Sequence, residues 1–283
     1  MNSTSRTATM TQPQPWAVPA AAWTCRNLVP QLSDLANAFQ PISLREMDEV
    51  ALLDRFDTKF VMTTRQLAIT LAELYNDYWM LEVNGLRLNL YRTLYFDTPA
   101  FDLYTAHAND RPERYKVRSR EYADSHLSFF EVKHRTRKDR TIKERILTPQ
   151  PVAEIAGGVR SWLGEVAPLD GSQLEPKLWN TFTRLTLVSK QCCERVTLDI
   201  DLAFSTEDRR VFLEGMVIAE VKMDRARRTS CFIEQMRRQR IKAQGFSKYA
   251  TGVAMLYEGV KKNSLKPKLL LVEKMMKGLE SYE

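Results

Sequence analysis

The stretch Arg114-Tyr115-Lys116-Val117-Arg118-Ser119-Arg120 decides the fold. Side chains of a β-strand alternate between its two faces with a period of two. Read as a strand, this stretch puts all four cations on one face and Tyr115 and Val117 on the other, where they can enter a core. Like charges at i, i+2 and i+4 repel unless an anion neutralises them. Other stretches repeat the pattern. Phe129-Phe130-Glu131-Val132-Lys133-His134-Arg135 places Glu131, Lys133 and Arg135 together. Arg195, Thr197, Asp199 and Asp201 are opposed by Val196, Leu198, Ile200 and Leu202, and Ile218, Glu220 and Lys222 alternate with Ala219, Val221 and Met223. Lys143 and Arg184 sit in stretches of similar character.

A single strand of this kind also fits an open antiparallel sheet with a wet face. Repetition across several strands, with Arg dominating the clearest run, points instead to a sheet closed with its polar side inward. Such a tunnel would hold a polyanion, Arg matching phosphate oxygens two at a time and Lys adding point charge. Strands are expected at residues 55–62, 91–97, 114–122, 127–135, 141–147, 180–189, 195–204 and 217–223. Helices are expected at 64–80, where Leu67, Leu71, Leu74, Tyr75 and Tyr78 share one side, and at 152–163, 231–240 and 247–257, with a short one ending near 106. Ser247 stands at an N-cap position. The fold class is therefore α+β, a closed antiparallel β-tunnel of about eight strands with helices packed on the outside. Residues 1–40, rich in Thr, Ser, Pro, Gln and Ala, read as a disordered leader, residues 41–260 as one folded domain, and 261–283 as a Lys-rich tail. The tail suits an amphipathic helix meeting a partner or an anionic membrane surface, or a frayed solvated end.

Composition narrows the partners. Over 283 residues, 42 Lys and Arg against 35 Asp and Glu give a net charge of +7, which suggests an anionic partner. With only ten glycines there is no G-x-x-x-x-G-K-[ST] and no G-x-G-x-x-G, so a Gly-rich phosphate loop is excluded. Cys25, Cys192, Cys193 and Cys231 form no C-x-x-C pair and read as free thiols in a reducing compartment. His107, His126 and His134 show no zinc spacing. No apolar run is long enough to span a bilayer, and residues 17–23 are too short for a signal segment. The expected location is cytoplasmic, or peripheral at the inner face of the membrane.

Taken in order, a set of short motifs resembles one family. They are Arg55-Phe-Asp-Thr-Lys59-Phe, Tyr95-Phe-Asp-Thr-Pro99 with Tyr104, Lys116-Val-Arg118-Ser-Arg120-Glu-Tyr122, Glu131-Val-Lys133 and Lys143-Glu-Arg145. Arg184, Arg195-Val-Thr-Leu-Asp199-Ile-Asp201, Glu220-Val-Lys222 and Phe246-Ser-Lys248-Tyr249 follow. The chain resembles the VTC domain, the catalytic domain of vacuolar transporter chaperone polyphosphate polymerases, which belongs with the triphosphate tunnel metalloenzymes and CYTH proteins. The resemblance runs from about residue 42 to 257.

It implies a tunnel that transfers the ATP γ-phosphate onto a growing polyphosphate chain, releasing ADP, with Mn²⁺ or Mg²⁺ bound. Arg118, Arg120, Lys133, Arg195 and Lys248 would be catalytic. Lys59, Lys116, Lys143, Arg184, Lys222 and Ser247 would bind substrate phosphate, and Glu220 and Glu131 the metal. The partners implied are ATP and inorganic polyphosphate, not nucleic acid, with a separate membrane protein receiving product. Two departures stand out. Phe182 replaces a tyrosine common in relatives, and Arg55-x-Asp57-x-Lys59 replaces the E-x-E-x-K strand of CYTH hydrolases. The second favours holding polyphosphate over a two-metal hydrolytic centre. A triphosphatase of the same fold, or a non-catalytic binder of polyphosphate or nucleic acid, is the alternative.

Overall fold

The computed structural model describes residues 29–49, 55–138, 140–224 and 230–280. The chain runs through α1 (Val29–Asn37), β1 (Gln40–Ile42), α2 (Leu44–Glu49), β2 (Arg55–Thr63), α3 (Thr64–Leu74), β3 (Tyr78–Leu81) and β4 (Asn89–Asp97). Next come α4 (Asp102–Ala108), β5 (Arg114–Tyr122), β6 (Leu127–Arg135), β7 (Thr141–Thr148), α5 (Gly157–Val166), β8 (Glu175–Ser189) and β9 (Glu194–Ser205). The last elements are β10 (Arg210–Leu213), β11 (Met216–Asp224), α6 (Cys231–Arg238), α7 (Lys248–Leu256) and α8 (Lys266–Glu280). No helix among the described residues is long and apolar enough to cross a membrane.

The strands form one sheet in the order β2-β11-β9-β8-β4-β5-β6-β7, with β10 on β9, β3 on β8, and β1 on β3. Every pair is antiparallel except β1 with β3. The sheet is strongly curved: Lys59 of β2 and Lys133 of β6, near opposite ends of the strand order, line one cavity. Hydrogen bonds do not close it among the described residues, so the structure shows an open sheet where a closed tunnel was expected. The edge of β2 that would meet β7 is already occupied. Gln244 N–H donates to the Lys59 carbonyl at 2.8 Å, and Ala243 bridges to Phe60, so the α6–α7 connection takes the place of a pairing strand.

Alternation sorts the sheet into two environments. On the convex side, Val196, Leu198, Ile200, Ala219 and Val221 pack under α1, α3 and α6, while Val117, Phe130 and Val132 pack under α5. α3 begins with a capping box between Thr63 and Gln66 and buries Leu67, Leu71 and Leu74. It ends at Leu74 instead of running to residue 80. Tyr78, expected on its apolar side, opens β3, where its buried phenol donates to Glu194 at 2.5 Å and accepts from Phe232 N–H at 3.1 Å.

The concave side has a wet part and a dry part. Its dry part packs Tyr91, Tyr95, Phe182, Leu202 and Phe204 against α7 and α8, so not every helix lies outside. Leu202 was expected to face the same way as Ile200 but joins this opposite cluster. Asp201 has φ +51°, and the β8–β9 register shifts between Thr181 and Thr183. The inserted residue inverts the alternation, as a bulge does.

The ordered chain begins before residue 40, since α1 buries Leu32 and Ala36 in the convex core. Residues 1–28 of the expected leader lie outside the described residues. Within the expected tail, α8 is helical and buries Val272 against the α7 cluster. Gly252 of α7 is where helix and sheet approach most closely, because a Cβ there would lie 2.8 Å from Phe204 Cδ1. Gly252→Val is expected to lower unfolding free energy by about 1–3 kcal/mol, the usual cost of overpacking. Urea denaturation would measure it, and an unchanged midpoint would contradict this packing.

Candidate functional site

The registers place the charged residues in facing rows. Tyr95, Arg118 and Glu131 stand side by side across β4, β5 and β6, and Thr93, Arg120 and Phe129 form the adjacent row. On the other wall Lys59, Glu220, Thr197 and Thr186 run across β2, β11, β9 and β8. The start of α7 reaches into the same space. Ser247 caps it by accepting from Ala250 N–H at 3.3 Å, and also accepts from Lys116 Nζ at 3.0 Å.

Three interior carboxylates organise this charge, each held between two cations. Glu131, 1% exposed, meets Arg118 Nε at 2.6 Å and Lys143 Nζ at 2.5 Å. Asp199 accepts a fork from Arg184, Nε at 2.6 Å and Nη2 at 2.8 Å, and is also paired with Lys248. Glu220 is paired with Lys59 and lies 3.3 Å from Lys222 Nζ. Burial pulls all three carboxyls upward, but the cations prevail. Arg118, Arg120 and Lys143 hold Glu131 at about 2, and Arg184 and Lys248 hold Asp199 at about 2. Lys222 and Lys59 hold Glu220 well below the ordinary range.

The cations carry the opposite strain. Burial lowers Lys133, Lys143 and Lys248 to about 8, with neighbouring cations adding to the shift and Glu131 or Asp199 opposing it at Lys143 and Lys248. Lys116 is lowered further, by burial and then by Lys133 and Lys59. Arg120, 8% exposed, donates to Thr93 Oγ1 at 3.3 Å, and burial lowers its guanidinium as well. Arg195 donates to the Met47 carbonyl at 3.1 Å. Phe182, lacking a hydroxyl, offers its ring face, with Lys248 Nζ 4.5 Å and the Arg184 guanidinium 5.2 Å from its centroid.

Two cavities open from this interior. One of about 500 Å³ is lined by Lys59, Lys116, Lys133, Arg135, Ser247 and Lys268. The other, about 470 Å³, is lined by Arg120, Lys143, Arg184, Arg195, Lys222 and Phe129. Arg118 lies on β5 between Lys116 of the first and Arg120 of the second. Of the residues expected to grip phosphate, Lys59, Lys116, Lys133 and Ser247 line the first cavity and Arg120, Lys143, Arg184, Arg195 and Lys222 the second, while Arg118 and Lys248 line neither.

A divalent ion finds a narrow welcome. Among the described residues no three His, Cys, Asp or Glu side chains form a metal-binding group. Glu131 was expected as a second ligand, but its carboxylate is sealed from solvent and already shared by Arg118 and Lys143. Glu220 fits better, since 19% of its side chain stays exposed and magnesium commonly binds one or two carboxylates plus substrate phosphates.

The VTC domain profile matches residues 54–257. The chain belongs to the VTC domain family. Solved structures add distant likenesses. A candidate adenylate cyclase from Bacillus halodurans is 15% identical over 72% of this chain and 98% of its own, with a TM-score of 0.45. A candidate adenylyl cyclase from Hippeastrum, described as having a dominant triphosphatase activity, is 12% identical over 72% of this chain and 97% of its own, also at 0.45. No curated protein matches the chain.

In this VTC domain three contributors were not among the expected site residues. Asp199 was legible as a strand-face neighbour of Arg195 and as part of a quoted motif, with no role of its own assigned. His107 and Lys268 carried no sequence signal and reach the first cavity through α4 and α8. Two outcomes follow from the geometry. Glu131→Gln leaves Arg118 and Lys143 facing each other without a counter-charge and is expected to cost about 3 kcal/mol of stability, measurable by urea unfolding. Lysines titrating near 8 are charged below that pH and lose charge above it, whereas ordinary lysines hold theirs to about 10. If this interior binds a phosphate polyanion, its affinity should therefore begin to fall as the pH rises through about 8, as read by fluorescence titration with polyphosphate. A flat profile through pH 9 would contradict these lowered values.

Proposed function

We propose that this VTC domain transfers the γ-phosphate of ATP onto the end of an inorganic polyphosphate chain, with Mn²⁺ or Mg²⁺ present. One observation carries the reading: the interior is lined by cations, opens at two cavities, and has every one of its three organising carboxylates already neutralised. A linear polyanion lying along β5 would meet Lys116, Arg118 and Arg120 in succession. On this reading the curved sheet serves as the tunnel, with the α6–α7 connection completing the wall that β7 does not reach.

Phosphoryl transfer depends on positioning and charge neutralisation more than on covalent help from protein. The nucleophile is a terminal phosphate oxygen of the chain, anionic at neutral pH, so no general base is needed. Its bond to the γ-phosphorus forms as the bond from that phosphorus to the β–γ bridging oxygen breaks, and the oxygen departs on ADP. Arg118, Arg120, Lys133, Arg195 and Lys248 would align the two phosphate groups and absorb charge on the transferring group. Lys59, Lys116, Lys143, Arg184 and Lys222 would hold the flanking phosphates, and Ser247 would keep Lys116 and the start of α7 in place. A bound divalent ion supplies further neutralisation of the triphosphate, and Glu220 is the residue that would hold it. The cavity containing Leu127 and Phe129 offers apolar surface for the nucleoside. We place the enzyme in the cytoplasm or at the inner face of the membrane, with a separate membrane protein as the receiver of product.

The triphosphatase alternative requires an activated water, normally through a carboxylate able to take its proton. Glu131, Asp199 and Glu220 are each engaged by two cations, which disfavours that role. A nucleic-acid binder would need exposed rings for stacking. Tyr91 and Tyr95 are 9% and 5% exposed and pack against α7 and its neighbours.

Incubation with ATP and Mn²⁺ is expected to give long polyphosphate on a stained gel with little free phosphate. Arg118→Ala and Glu220→Gln, with unfolding curves showing retained fold, should each reduce synthesis about 100-fold or more. Free phosphate without chains would transfer the assignment to the hydrolase.

A further inference from the structure

The first cavity has a wall that the matched region does not supply. The match ends at residue 257, whereas Ser264, Leu265 and Lys268 line this cavity beside Lys59, Lys116 and Lys133. Lys268 is held over the approach to α7, its Nζ lying 3.9 Å from where a Cβ on Gly245 would stand. Arg114 and Arg135 come to the same cavity from the far ends of β5 and β6, where they are cross-strand partners. Lys116, Lys133 and Lys268 are paired with no carboxylate in the structure among the described residues. His107 cannot supply a counter-charge. Its Nε2 lies 3.4 Å from Lys116 Nζ, and burial with the surrounding cations keeps the ring neutral.

Asp110, which lines the cavity and is paired with Arg114 at 2.9 Å, and Glu220, paired with Lys59, leave Lys116, Lys133 and Lys268 as the excess positive charge, which a mobile anion would relieve. We propose that Lys268, with Arg114 and Arg135, forms an outer anion site that holds the part of a polyphosphate chain emerging from the interior, and so favours long chains over short ones. This rests on the polyphosphate reading above and adds to it a residue outside the family match. Tripolyphosphate is short enough to be satisfied by the interior cations alone. A long chain must continue past Lys116 and Lys133 and meets Lys268 next. α8 thereby becomes part of the binding surface.

The test compares long-chain polyphosphate with tripolyphosphate, each titrated into the full chain over a range of KCl concentrations. The variants are Lys268→Gln, Lys268→Glu and, as a control on the exposed face of the same helix, Lys274→Gln. Lys268→Gln is expected to weaken long-chain binding about fivefold and make its salt dependence shallower by about one ion. Lys268→Glu should weaken it further. Tripolyphosphate affinity should stay within about twofold throughout, and Lys274→Gln should leave both ligands unaffected. Equal losses for the two ligands, or equal effects of the 268 and 274 variants, would overturn the outer site. Wild-type binding of long polyphosphate with no Lys268 effect overturns this inference alone. Failure of the wild type to bind polyphosphate at all overturns the functional reading with it.

Discussion

The structure depends on three carboxylates, each placed between two cations. A protein interior cannot hold many like charges, because desolvation and mutual repulsion both act against it. Glu131, Asp199 and Glu220 offset that cost where the strands converge, and the way they do so shapes the site. Glu131 ties β5 to β7 across β6. Asp199 ties β8 and β9 to the start of α7. Glu220 ties β11 to β2. The ion pairs are therefore also mechanical links between elements, and Glu220–Lys59 joins strands 161 residues apart in the chain. Removing any one acid does more than change a net charge, since it releases two long cationic side chains that had been fixed in position.

That compensation is deliberately incomplete in its distribution. The cations around the acids are held, while Lys116 and Lys133 are left to a histidine, a hydroxyl and solvent. Lysines in such surroundings lose their protons more easily than free ones, so the cost of an empty interior is partly relieved by neutralisation. An arriving anion would reverse this, because each anion raises the affinity of nearby ammonium groups for protons. On the proposed function, phosphate binding and proton uptake would thus be linked, and the same groups would be tolerated in the empty protein and fully charged in the filled one.

The strand-face pattern of residues 114–120 made the sheet and its cationic side legible from the sequence, because alternation is a local property and a nearly regular one here. The same rule puts Arg120, Lys143, Arg184 and Arg195 on strand faces that line one cavity, with Lys133 lining the other. Non-local matters were not legible. Tyr78 extends a helical spacing but leaves the helix to bond Glu194, a partner more than a hundred residues away. The pairing of Glu131 with Arg118 and Lys143 arises from register between three strands, so the residue looked like a metal ligand when only its type and strand were known. Lys268 and His107 have no motif around them, and their place depends on how α8 and α4 dock.

Asp201 shows how much one backbone residue can decide. Before it, β9 sends Thr197 and Asp199 toward the cation-lined interior. After it, the same side of the strand presents Leu202 and Phe204 to α7. The strand is two half-strands joined out of phase, and a single polypeptide segment becomes hydrophilic lining at one end and an oily floor at the other. An insertion or deletion of one residue in β9 would therefore do more than lengthen or shorten it. It would exchange lining for floor, turning carboxylate into the helix contact and aromatic rings into the water. Such a strand tolerates changes of side chain far better than changes of length.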